Sequence, residues 1–315
     1  MTDVIVVGAG ICGLMAATVL YEAGLTPLVL DKGRGVGGRM ATRRLGVPGG
    51  QSATLDHGAQ FFTLKNALFA PWVEAWLAAG VIRPWWADPY PRYVGVGAMT
   101  AVPKHLAQRL NVRVSARVTQ VHQSEAGDWQ VETEGGEQFQ AQHLLMTAPL
   151  PQTLALLPPL PPLEGLQQIQ YSPCLAVMVV LPECDFRLPA PGGLKIDSEP
   201  LAWIAQNDLK GLSSAQPALT LHAGPETSTA LWDAPEEEVI ATLLQAARQQ
   251  FEIPWAPVAQ QVMRWRYAFP KNPHSQLFVQ PAPGLWLAGD AFGGGRVEGA
   301  ALSGLAVADA LQAVQ

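Results

Sequence analysis

The chain has 315 residues, a formal charge of −6 and 49% hydrophobic residues. It is long enough for a large core and longer than one ordinary domain. Its basic residues form no extended run, so nucleic acid and anionic membranes are not expected partners. The three cysteines, Cys12, Cys174 and Cys184, lack metal-ligand spacing, so no metal site is expected and a reducing compartment fits. Apolar runs such as Cys174 to Leu181 fall far short of the roughly twenty residues that span a bilayer. The first strand begins so close to Met1 that it leaves no room for a signal peptide. The expectation is a soluble, cytoplasmic protein.

The apolar run Val4-Ile5-Val6-Val7 leads into Gly8-Ala9-Gly10-Ile11-Cys12-Gly13, and neither proline nor glycine follows until Gly24. This is the strand, tight turn and helix of a dinucleotide-binding unit. Gly8 permits the turn, Gly10 lets backbone N–H groups around Ile11 and Cys12 approach a pyrophosphate, and Gly13 allows close helix packing. A second strand, Pro27 to Leu30, ends at Asp31, the spacing of a carboxylate that holds ribose hydroxyls and argues against NADP. The loop Lys32-Gly33-Arg34-Gly35-Val36-Gly37-Gly38-Arg39-Met40 suits a second pass over the pyrophosphate, because glycines offer N–H groups and a guanidinium binds phosphate through two hydrogen bonds. Its alternative is a mobile, solvated basic loop.

Leu55 to Thr63 comes next, with Gly58 and Ala59 small enough to let a flat ring approach. A helix is expected around Ala67 to Ala79, followed by an aromatic, proline-rich stretch through Trp85, Trp86 and Tyr90 to Tyr93. Alternation in Val112 to Val121 and in Trp129 to Thr133 predicts two strands joined through Gly127. Leu144 to Met146 reads as a buried strand ending in a turn at Pro149. Pro158, Pro159, Pro161 and Pro162 mark a boundary. Strands near Cys174 to Leu181, Leu201 to Gln206, Ala218 to His222 and Val262 to Ala268 surround one helix, from about Pro235 to Phe251. The strand Leu285 to Ala288 then runs into Gly289-Asp290, and a helix of small residues from about Glu298 closes the chain.

This order predicts an α/β protein in which a Rossmann-like domain (residues 1–66, 97–158 and 275–315) is interleaved with an α+β substrate domain on an antiparallel sheet (residues 67–96 and 159–274). The dinucleotide turn and the distant Gly289-Asp290 segment, with Gly295-Arg296-Val297-Glu298-Gly299, together point to FAD. The alternative for Glu298 is an ordinary first helical turn, in which it complements the helix dipole.

Asp31 to Met40, Leu55 to Thr63, and Gly289-Asp290 with Gly295 to Ala300 together resemble the renalase-like branch of the FAD-dependent amine oxidase superfamily, especially its bacterial members. The resemblance runs end to end and implies an amine oxidase or p-hydroxybenzoate hydroxylase-like arrangement with non-covalent FAD. It implies that the backbone at Cys12 faces the pyrophosphate, Asp31 the adenosine ribose and Arg39 a phosphate, with Lys32, Arg34, Gly38 and Met40 in the same loop. Gln60 and Phe61 would border the flavin, Val118 the adenine, and Asp290 the ribitol or pyrophosphate. The N–H groups after Arg296, near Val297, would point at the flavin C2 carbonyl, where they favour reduction.

The resemblance also nominates Trp203, Asn207, His222, Trp265 and Tyr267 as substrate residues, each with a competing core reading. It implies oxidation of aberrant 2- or 6-dihydro isomers of NAD(P), with O2 as acceptor and H2O2 as product. That chemistry is hydride transfer and needs orientation more than a base, so no catalytic residue is assigned. Amine oxidases of the superfamily usually carry a lysine near flavin N5; of the six lysines, Lys32 and Lys65 stand close to cofactor motifs in sequence. The alternatives are an amine oxidase or desaturase acting on a small amine or other substrate, and a flavin-binding protein without turnover. His57 departs from relatives with an apolar residue there, Met263 stands where some carry His, and Ala223 to Ser228 lacks a Trp that some have.

Overall fold

A computed structural model describes residues 2–87, 89–158, 166–196, 198–253 and 256–314. Pro159, Pro161 and Pro162 of the expected boundary lie outside the described residues. The first domain is built on a six-stranded sheet in the order Phe278–Ala282, Leu285–Ala288, His143–Met146, Val4–Val7, Pro27–Leu30, Asn111–Arg113. All its pairings are parallel except that between Phe278–Ala282 and Leu285–Ala288. The strands Val4–Val7, Pro27–Leu30 and Leu285–Ala288 are buried at every residue, because a parallel sheet is covered on both faces and selects continuous apolar runs. On one face lie the helices Ile11–Glu22 and Val297–Gln312, which meet closely: a Cβ on Gly304 would stand 2.4 Å from the Cys12 carbonyl oxygen. The other face is covered by the small sheet of Val118–Gln123, Trp129–Thr133 and Gln138–Ala141, whose Val121, Trp129 and Val131 share a core with Ile5, Leu30 and Leu144.

The alternation over Val112 to Val121 predicts one strand, and the structure makes two. Asn111–Arg113 joins the parallel sheet, and Val118–Gln123 begins the next one. Between them Ser115 takes φ +56°. Its N–H donates to the Gly33 carbonyl at 2.7 Å, and Ala116 N–H donates to the Asp31 carbonyl at 2.8 Å. The nucleotide loop thus bends the chain where periodicity alone predicts continuity.

The second domain is a five-stranded antiparallel sheet in the order Gly193–Lys195, Leu201–Gln206, Ala218–Ala223, Tyr171–Val180, Ala259–Pro270. Alternation divides its longest buried strand between two tasks. Leu175, Val177 and Val179 pack under the helix Glu236–Phe251 with Val239, Leu243 and Ala247. Met178 and Val180 pack against Ala53 and Leu55 of the hairpin Thr42–Gly46/Ser52–Asp56. One row of the register runs Lys195, Trp203, His222, Ala176, Met263 across all five strands, on the face that meets the first domain. The segment from Ala67 to Gly95 touches both domains. Its Phe69, Val73, Trp76, Ile82 and Val94 share a core with Leu14, Met15 and Val307, whereas Trp85 and Trp86 reach Trp203.

Candidate active site

The first glycine turn is shaped by its own backbone. A Cβ on Gly13 would stand 2.1 Å from the Gly8 carbonyl oxygen, while one on Gly10 would meet nothing within 4 Å. The helix Ile11–Glu22 has no side-chain cap and no acidic residue in its first turn, so no side chain of its own satisfies the N–H groups at its positive end. The second glycine loop docks on this turn, with Gly37 N–H donating to the Ala9 carbonyl at 2.8 Å. Asp31 joins the two loops: its Oδ2 accepts from Ala9 N–H at 2.7 Å and its Oδ1 from Gly33 N–H at 2.6 Å. Around this centre, Met40 is buried, Arg34 is exposed, and Lys32 Nζ donates to Gln152 Oε1 at 3.0 Å. Val118 is buried at the start of its strand.

The two ends of the chain meet at Arg39. Its Nη1 donates to Asp290 Oδ2 at 2.5 Å and to the Tyr267 carbonyl at 3.1 Å. Burial disfavours the guanidinium charge, but the hydrogen bond and charge of Asp290 outweigh it and raise the pKa above its ordinary value. Asp290 Oδ1 also accepts from the Tyr171 hydroxyl at 3.2 Å. Beyond Gly289-Asp290, the exposed Arg296 takes φ +142° and caps the helix Val297–Gln312 without a side-chain hydrogen bond. Glu298 does more than complement the dipole of that helix. It is buried, and its Oε1 accepts from the backbone N–H groups of Lys65 at 2.6 Å and Asn66 at 2.7 Å.

The small residues after Asp56 approach backbone. A Cβ on Gly58 would lie 2.0 Å from the Arg39 carbonyl oxygen, which also accepts from Ala59 N–H at 2.8 Å. Gln60 is buried and satisfied within the protein: its Nε2 donates to the Asp56 carbonyl at 2.6 Å and its Oε1 accepts from Lys210 Nζ at 3.1 Å. Lys210 is fully buried and also donates to Asp56 Oδ2 at 3.0 Å. Burial lowers its pKa, with Asp56 opposing. Asp56 Oδ1 accepts from the Thr42 hydroxyl at 2.7 Å and from Met99 N–H at 3.0 Å. Sequence reading placed Lys32 and Lys65 near the cofactor motifs and missed Lys210, whose surroundings Asn207-Asp208-Leu209-Lys210-Gly211 look like any polar turn.

Four of the five nominated substrate residues lie along the sheet face that meets this turn. Trp265 Nε1 donates to the His57 carbonyl at 3.1 Å, and its ring stacks on the His57 imidazole at 5.3 Å and 12°. His222 Nε2 lies 3.3 Å from the same carbonyl, which requires the tautomer with the proton on Nε2. Burial holds both imidazoles neutral, with pKa values of about 4. Trp203 packs on Phe61 at 5.5 Å and parallel to Trp86. Tyr267 meets Tyr171 edge-on, toward Asp290. Asn207 departs from the expectation of a pocket wall. It has no exposed surface, its Oδ1 accepts from Asp56 N–H at 3.1 Å, and its Nδ2 donates to Thr220 Oγ1 at 2.9 Å and to the Ala218 carbonyl at 3.2 Å. Asn207 ties the two domains together.

Residues 78–312 match the family described as flavin-containing amine oxidoreductase, and residues 6–75 match the NAD(P)-binding Rossmann-like domain. The chain belongs to the flavin-containing amine oxidoreductases. Mouse renalase (Mus musculus) is 26% identical over 344 aligned positions that cover 99% of this chain and 99% of renalase. Among solved structures, a putative protoporphyrinogen oxidase from Exiguobacterium sp. 255-15 superposes with a TM-score of 0.78 at 14% identity, covering 100% of this chain and 99% of that one. Putrescine oxidase bound to putrescine gives 0.70 at 16% identity, with 99% of each chain covered. These two likenesses are in fold.

This flavin-containing amine oxidoreductase is a FAD-dependent enzyme of the renalase-like kind, and its residues fit the cofactor. Gly10, Gly35 and Gly294 each have open space where a Cβ would be, and two helices present uncapped N-termini. Among the described residues no cluster of His, Cys, Asp and Glu could hold a metal ion, and no helix is long and apolar enough to cross a membrane.

Proposed function

We propose that the protein is a cytoplasmic oxidase that takes a hydride from a small reduced substrate, a 2- or 6-dihydro isomer of NAD(P), and passes the electrons to O2 as H2O2. The observation that carries this reading is the interface itself: Phe61, Trp85, Trp86 and Trp203 pack together, beside His57 and Trp265 stacked with their imidazole and indole nearly parallel. Such walls suit a flat ring held by stacking and orientation. Bound FAD supplies the two-electron acceptor. A dihydropyridine gives up its hydride and becomes aromatic without losing a proton, so the neutral His57 and His222 need not act as bases. The full-length relationship to renalase supports a FAD-dependent oxidase.

In this reading FAD is held without a covalent bond. Gly8, Gly10, Ile11, Cys12 and Gly13 receive the pyrophosphate, and Asp31 orients the ribose while it fixes the two loops. Arg39 binds phosphate with the guanidinium N–H groups that Asp290 leaves over, and the first turn at Val297 faces the flavin C2 carbonyl. A second reading, oxidation of an amine, draws on Lys210, the buried lysine beside Gln60. Mixing the FAD-loaded protein anaerobically with 2- or 6-dihydro-NAD(P) should bleach the flavin much faster than mixing it with ordinary 4-dihydro-NADH. Equal rates would point to a general NADH oxidase, and bleaching by amines alone would establish the second reading.

A further inference from the structure

The glycine turns of the cradle belong to the first domain, but Arg39 is held largely from the second. Tyr171–Val180 and Ala259–Pro270 are the first and last strands of the second domain's sheet in chain order, and they pair with Tyr171 opposite Pro270. This pair of strand ends reaches the cradle from both sides. On the last strand, the carbonyls of Tyr267, at 3.1 Å, and Ala268, at 3.4 Å, accept from Arg39 Nη1. On the first, the Tyr171 hydroxyl donates to Asp290 Oδ1, while Asp290 Oδ2 accepts from that same Nη1. Pro270 also closes on the loop before the last helix, where a Cβ on Gly295 would stand 2.7 Å from its Cδ.

The Tyr171 hydroxyl is used up within the protein, since it accepts from Leu150 N–H at 3.4 Å and donates to Asp290 at 3.2 Å. Burial, and then the charge of Asp290, raise its pKa above the ordinary value, so it keeps the proton that it donates. A buried carboxylate held at both oxygens is fixed in rotation, and it fixes the guanidinium bound to it. Among the described residues all the hydrogen bonds of Arg39 come from Nη1. Its side chain keeps 29% of its surface exposed, which leaves Nε and Nη2 as donors for a phosphate.

We propose that Tyr171 is a positioning residue of the FAD site: it fixes the Asp290 carboxylate, which aims the Arg39 guanidinium at the cofactor's phosphate, so FAD retention depends on a hydroxyl supplied by the second domain. The proposal rests on reading Arg39 as a phosphate ligand and deepens it by naming what orients that ligand. Without the hydroxyl, Asp290 and Arg39 gain freedom that FAD must remove again on binding, at a cost in affinity.

The test reads cofactor retention in the loaded, full-length protein, so it stands whatever the substrate. FAD release on dialysis is followed for wild type, Tyr171→Phe, Arg39→Ala and Arg39→Ala/Tyr171→Phe. Tyr171→Phe removes one oxygen and keeps the ring that meets Tyr267 edge-on. It should weaken FAD retention about threefold, the size of one modest hydrogen bond, and should add nothing in the Arg39→Ala background, because it acts through that guanidinium. Displacement of FAD separates this role from a general loosening of the cradle, because ADP carries the phosphates and adenosine does not. In Tyr171→Phe the ADP concentration that displaces half the FAD should match wild type, while that of adenosine should fall about threefold. Wild-type retention in Tyr171→Phe, with FAD lost from Arg39→Ala, would overturn the proposal and leave Arg39 a phosphate ligand. Additive losses, or an unchanged adenosine requirement, would make Tyr171 a structural residue and overturn it too. Unchanged retention in Arg39→Ala would remove the phosphate reading and the proposal with it.

Discussion

In the nucleotide cradle the chain contributes mainly main chain: Gly8, Gly10, Gly13 and Gly37 set the turns, and Asp31 pins two loops through their backbone N–H groups. At the domain interface it contributes side chains from distant segments, with His57, Trp85, Trp203, Lys210 and Trp265 converging on one turn. Backbone demands recur within a few residues and leave short, spaced signatures. Side-chain constellations need only that each partner arrive, and arrival depends on the whole fold. The two regions therefore fail differently when perturbed.

The largest effect is expected at the interface. Lys210→Met leaves the Asp56 carboxylate buried without its cation, which costs about 3–5 kcal/mol and should appear as a lower urea midpoint. Lys210→Met with Asp56→Asn should recover part of that loss, because the remaining groups are neutral; a double variant no more stable than the single one would show that the charge is not the cause. Next comes pH. Burial, chiefly, lowers the pKa of His57 from 6.5 to about 4, so between those values the unfolded chain binds more protons than the native one. Stability should be full above about pH 6.5 and fall as the pH drops toward 4, by roughly 3 kcal/mol for this imidazole. Urea melts of wild type and His57→Phe across that range should show a smaller slope in the variant.

The smallest effect tests the cradle, where Arg39 is the exception to backbone control. Arg39→Ala should weaken FAD retention by about tenfold, equivalent to roughly 1.4 kcal/mol, measured as FAD released from the loaded protein on dialysis. Unchanged retention would remove Arg39 from phosphate binding and leave it as the structural partner of Asp290.

The same contrast governs what could be read in the sequence. The strand, turn, helix and second strand up to Asp31 follow from spacing, as do the helix Glu236–Phe251 and the closing helix. The break at Ser115 did not, because carbonyls at Gly33 and Asp31 impose it. Gly58 stood out as a small residue, but the backbone contact that requires it, with the Arg39 carbonyl, had no sign in the sequence. Lys210, Asn207 and Glu298 carried no local sign of their roles, since their partners lie at Asp56 and at Lys65-Asn66. Trp203 and His222 were reached through resemblance, and strand register places them opposite one another.

The order of strands in the parallel sheet also has a meaning in time. Val4–Val7 leaves the ribosome well before its neighbour His143–Met146, and Leu285–Ala288 follows later still. Asp290 and the helix beginning at Val297, which meet Arg39 and the Lys65-Asn66 backbone, are made after both of these. A nascent chain therefore carries an open half-site until Asp290 and Glu298 have been made. Closure of the cradle is tied to synthesis of the segment from Asp290 to Glu298, and a retained flavin marks a chain that has reached it.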